Sequence, residues 1–63
     1  MDATATFLVG QQKALEAVLT AFVNHIADRP AWTTDDPSRV RFDGITDAIA
    51  RANSLITKEL SVR

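Results

Sequence analysis

The stretch from Thr4 to Ala27, TATFLVGQQKALEAVLTAFVNHIA, decides the fold. Its large apolar residues are Phe7, Leu8, Leu15, Val18, Leu19, Phe22, Val23 and Ile26, spaced as a 3.6-residue period requires, and no proline interrupts them. The pattern predicts a helix over about 4–27. Advancing 100° per residue spreads these side chains over about half the helix circumference, wider than the ~100° stripe of an ordinary surface helix. One neighbouring helix cannot cover such an arc. Lys13 and Glu16 are the only charges between Ala3 and Ala27, whereas twelve of the chain's fifteen lie from Asp28 onward, so this is the inner helix. Beside the apolar arc runs a row of small residues, Ala3, Gly10, Ala14, Ala17 and Ala21. Alanine is also the best helix former. Gly10 tilts the reading toward close packing, because a glycine inside a helix costs roughly 1 kcal/mol relative to alanine.

Outward from this segment, Asp28-Arg29-Pro30 ends the first helix, since the residue before a proline is pushed away from helical backbone angles. A connection over about 28–36 leads to Asp36-Pro37, an N-cap acid followed by proline at the first helical position, with Asp35 also well placed beside the helix dipole. The second helix is predicted over about 37–62. Phe42, Ile45, Ile49, Ala52, Ile56 and Leu60 form a narrow seam flanked by Ala48 and Leu55. Asp43, Asp47, Arg51, Ser54 and Lys58 take the opposite, solvated face, with Asp47 and Arg51 in the favourable i, i+4 order.

A connection this short joins antiparallel neighbours. The expected fold is therefore all-α, a single antiparallel two-helix hairpin over 1–63 that dimerises into a four-helix bundle, a higher oligomer being the alternative. The expected interface is Phe7, Leu8, Gly10, Ala14, Leu15, Val18, Leu19, Phe22, Val23 and Ile26. Size points the same way: a 63-residue chain buries only about 60% of the surface its unfolded form exposes. Small domains compensate with disulfides, metals or oligomerisation, and a chain with no cysteine and one histidine has only the last of these.

With 46% hydrophobic and 24% charged residues, the composition is that of a folding domain rather than a disordered segment. A net charge of −1 supplies no global field for a polyanion or an anionic membrane. The N-terminus lacks the basic region of a secretory signal and no apolar run has membrane-spanning length, so the expected location is cytoplasmic, with no membrane partner.

No catalytic constellation, glycine-rich phosphate loop or metal-ligand spacing is present in the sequence, so neither an enzyme nor a cofactor is expected. His25, at the edge of the apolar arc near the end of the first helix, reads as a border residue able to cap the last carbonyls. Asp35 and Asp36 read as helix-capping, and Asp43 and Asp47 as a solvated face, since their spacing does not match a calcium loop. The connection is richer. Arg29, Trp32, Arg39 and Arg41 gather around it, and tryptophan and arginine are the types most enriched at binding hot spots. They also suit stacking a base and holding phosphates. The alternative for Trp32 is that it folds back to close the open end of the hairpin.

The run Ile45-Thr46-Asp47-Ala48-Ile49-Ala50-Arg51-Ala52-Asn53-Ser54-Leu55-Ile56 resembles the second helix of the small phage hairpin proteins that sequester cyclic nucleotide signals of bacterial defence systems. The resemblance lies in an aliphatic, an acid, an alanine, then Ala-Asn and a later isoleucine, with Arg51 where those proteins usually carry an aromatic residue. It implies an oligomer with nucleotide pockets between hairpins, and carries over no ligand-contacting residue.

The leading expectation is a non-enzymatic hairpin oligomer that binds another macromolecule, with a protein as the first choice, as a regulator, inhibitor or accessory subunit. The alternatives are capture of a nucleotide between subunits and an RNA- or DNA-binding hairpin dimer. Nucleic acid is the weaker partner, because Asp43 and Asp47 share the face that would present Arg51 and Lys58, and neutralising several phosphates needs more basic residues.

Overall fold

The computed structural model describes residues 2–63. Among them are two helices and no strand: α1 (Ala3–Ala27) and α2 (Pro37–Ser61), each of 25 residues and therefore about 37 Å long. Asp2 opens α1 from an extended conformation, its carboxylate accepting the Ala5 N–H at 2.6 Å and satisfying one of the amides that a helix start leaves free. The Asp28 N–H donates to the Asn24 carbonyl at 3.0 Å as α1 ends, just ahead of Pro30. At the start of α2 the Asp36 carboxylate accepts from the Ser38 and Arg39 amides at 2.8 and 3.4 Å, with Pro37 in the first turn, where its missing N–H costs nothing.

Three contacts set the relative direction of the helices. Arg63 donates to Asp2 at 3.2 Å, Gln12 donates to the Thr57 hydroxyl at 2.7 Å, and the Phe22 and Phe42 rings lie 5.5 Å apart. As the α1 number rises its partner's falls, so the hairpin is antiparallel. The half-buried residues Leu8, Gln12, Leu15, Leu19, Phe22 and Ile26 of α1 follow alternating spacings of four and three. On α2, Phe42, Thr46, Ile49, Asn53, Ile56 and Leu60 do the same. This is the spacing that keeps two helices in contact along their whole length.

The seam of α2 differs in part from its sequence reading. Ile45 is 40% exposed and Ala52 lies at the border, while Thr46 and Asn53 take the places between Phe42, Ile49 and Ile56. Strict alternation of four and three follows the contact line, and the polar residues happen to stand on it. The consequence is a buried amide oxygen, Asn53 Oδ1, with no hydrogen-bond partner.

The hairpin has two unlike faces. One carries the Gln12–Thr57 hydrogen bond and, further along the same side, Glu16 and Thr20 of α1 and Ser54 and Asp43 of α2. Turned away from it at 100° per residue are Phe7, Ala14 and Val18 on α1 and Ile45, Ala48 and Leu55 on α2, with Arg41 and Glu59 at the two ends of the α2 side. Phe7 is 61% and Leu55 63% exposed. Two helices alone enclose very little: Ala5 is the only buried apolar residue among those described, and no large side chain is fully buried. The radius of gyration is 14.5 Å, against about 11 Å for a compact chain of this length. An accessible surface of 4543 Å² likewise exceeds the roughly 4,000 Å² of a typical monomer of this mass.

Candidate functional site

The connection folds by short-range hydrogen bonds: Arg29 N–H to the Ile26 carbonyl at 3.1 Å, Trp32 N–H to Arg29 at 2.8 Å, and Asp36 N–H to Thr33 at 3.0 Å. These turns bring Trp32 back over the end of the hairpin. Its ring lies 5.0 Å from Phe42 and 5.6 Å from His25, both edge-on, while His25 stacks on Phe42 at 5.4 Å with an interplanar angle of 21°. Phe22 completes the group. Tilted and offset rings at such distances are the favourable aromatic arrangements, each worth about 0.5–1.5 kcal/mol beyond burial. His25 thus lies inside an aromatic cluster that its sequence position alone did not reveal. The available signal was its spacing of three from Phe22, which puts both rings over one turn.

The four connection residues fall into two pairs. Trp32 and Arg39 are half-buried and held together, the Arg39 guanidinium donating to the Trp32 carbonyl at 3.3 Å and lying 3.7 Å from the Asp43 carboxylate. Arg39 therefore ties the connection to the first turns of α2. Arg29 and Arg41 are exposed, with one long local hydrogen bond each, to the Asp28 carbonyl at 3.4 Å and the Ser38 hydroxyl at 3.3 Å. Most of their donors face solvent, where a planar guanidinium can grip a carboxylate or phosphate in two-point fashion. Exposed Asp28 and Asp35 stand among them and keep the end of the hairpin mixed in charge.

The residues read as an oligomer interface separate in a similar way. Leu8, Leu15, Leu19, Phe22 and Ile26 lie along the half-buried seam against α2. Phe7, Gly10, Ala14 and Val18 are exposed on the open face, and Val23 is exposed at the opposite flank of α1. At the connection end of that open face lies a pocket of about 320 Å³, lined by Ala21, Phe22, His25 and Phe42 and almost wholly apolar. Its walls are aromatic ring surfaces and the methyl group of an alanine. Such a lining can receive an apolar or planar group and offers little to a charged one.

Among the described residues no three His, Asp or Glu side chains converge, and no helix is long and apolar enough to cross a membrane. Comparison of the chain with known protein families, with curated proteins and with solved structures finds no match to any of them.

Proposed function

We propose that this hairpin is one half of a helical bundle that pairs with a second copy, and that the oligomer is a non-enzymatic binder of another protein, acting as a regulator, inhibitor or accessory subunit. The observation that carries the reading is the missing core: a chain rich in large apolar residues buries, among those described, only Ala5, and leaves Phe7, Val18 and Leu55 on one face. Large apolar side chains exposed together on one face mark an interaction surface more often than a free one. With that face consumed by self-association, the connection ends remain outward. There Arg29 presents free guanidinium donors on a support stiffened by the Trp32 cluster, while Arg41, which shares the open face with Ile45 and Ala48, stands at the margin of the interface.

Sedimentation equilibrium tests the first half. The chain is expected to sediment as a dimer or larger, and a Val18→Lys/Leu55→Lys variant as a helical monomer; a wild-type chain that stays monomeric at high concentration would defeat the reading. For the second half, an Arg29→Ala variant should remain oligomeric and lose its protein partner in pull-down. Unchanged partner recovery would remove the connection as the binding surface.

A second reading, nucleotide capture, is favoured by the ring-lined pocket, because aromatic faces stack on any base. A thermal-shift panel of nucleotides and cyclic oligonucleotides tests it. A ligand at 100 times its Kd should stabilise by about 2.7 kcal/mol, and a flat response across the panel would end this alternative.

A further inference from the structure

Phe7, Ala14 and Ala21 recur at intervals of seven and so share one side of α1. They are unlike in size. Seven residues before Ala14 stands Phe7, a ring projecting into solvent, and seven residues after it Ala21 forms a wall of the aromatic pocket. Four residues either side stand Gly10 and Val18: nothing lies within 4 Å of where a Cβ on Gly10 would sit, and Val18 is 43% exposed. Large residues on one side of Ala14 are thus matched, at equal distances on the other, by a gap or a small residue.

We infer that a second copy docks antiparallel on α1 about a two-fold axis at Ala14, each Phe7 filling the other copy's pocket and each Val18 lying over the other's Gly10. The proposal rests on the self-association put forward above and adds its orientation and register. An isologous interface must complement itself under the two-fold, and this α1 face does so only in the antiparallel sense. Parallel pairing would set Phe7 against Phe7 and leave both pockets open. Ala14 on the axis allows the backbones to approach closely, and on α2 the exposed Leu55 has the small Ala48 available on the facing copy. The helical part of the broad side, about 37 Å long and 16 Å wide, offers on the order of 600 Å², the lower end of the roughly 600–1,000 Å² per partner of a stable interface.

Antiparallel docking places the two connections at opposite ends of the bundle, so the dimer offers two identical arginine-bearing ends about one hairpin length, 46 Å, apart. The same docking fills the pocket that nucleotide capture would require, so the two compete.

Because the chain contains no cysteine, single cysteines report the register directly. Treated with a short thiol crosslinker, Ala14→Cys should give a covalent homodimer and Phe7→Cys should not, while Gly10→Cys mixed with Val18→Cys should crosslink to each other. Phe7→Ala should weaken the dimer about a hundredfold, since two rings leave apolar pockets per dimer. Self-crosslinking by both Phe7→Cys and Ala14→Cys would show parallel pairing and overturn the inference while leaving self-association standing. So would a dimer in sedimentation that gives no Ala14→Cys crosslink. A monomer in sedimentation would overturn both.

Discussion

Replacing Phe42 by alanine should loosen the connection end of the hairpin more than any other single truncation there, because three aromatic partners converge on that ring. Phe22, His25 and Trp32 have centroids 5.5, 5.4 and 5.0 Å away. Complete burial of a phenylalanine would put the cost of truncation at about 3–5 kcal/mol. Phe42 is only half-buried, which roughly halves that figure, and the lost ring contacts restore part of it. The expected loss is about 2–3 kcal/mol, or a melting temperature lower by roughly 15 °C for a chain of this size. Circular dichroism at 222 nm follows the melt, and fluorescence gives an independent reading because Trp32 is the sole tryptophan. Its emission should shift to the red as its apolar cover is lost. Val40→Ala is the control: Val40 is 55% exposed on the outer side of α2, and its truncation should change stability by no more than about 0.5 kcal/mol. If Phe42→Ala melted like the control with unshifted Trp32 emission, the aromatic cluster would not be what closes the hairpin.

Asn53→Leu should raise the melting temperature, since it removes a buried amide oxygen without a partner, a defect worth about 1–3 kcal/mol, and returns an apolar side chain to the seam. A lower melting temperature with unchanged oligomeric state would mean that the amide is satisfied in solution. Asp2 is held below its ordinary value of 3.8 mainly by the Ala5 backbone N–H, with Arg63 adding to the effect and desolvation opposing it. A carboxylate depressed in the folded state contributes stability that is fully present above its unfolded value and lost as pH falls through the folded one. The tie between the chain ends should therefore weaken below about pH 4. Asp2→Asn should remove that part of the acid dependence, and an unchanged acid profile in the variant would refute the assignment.

Much of the local structure is legible in the sequence because its causes are local. Pro30 disfavours helical angles at Arg29, and the Asp36 carboxylate with Pro37 starts α2 through contacts spanning three residues. Seven-residue periodicity alone marks both segments as amphipathic. The candidate site is less legible. That Arg29 and Arg41 remain free while Arg39 is tied to Trp32 and Asp43 depends on how the turns of the connection fold, and no spacing encodes that.

What the sequence by itself determined is therefore two helices, their ends, and an excess of apolar surface on the first. The tertiary structure decided how α1 is rotated. An apolar arc covering half a helix is compatible with many rotations, and only contact with the narrow seam of α2 selects Leu8, Leu15, Leu19, Phe22 and Ile26 for the inside while turning Phe7 and Val18 outward. The same contact line drew Thr46 and Asn53 inward past Ile45, because two long helices stay together only along alternating steps of four and three, whatever residues stand there.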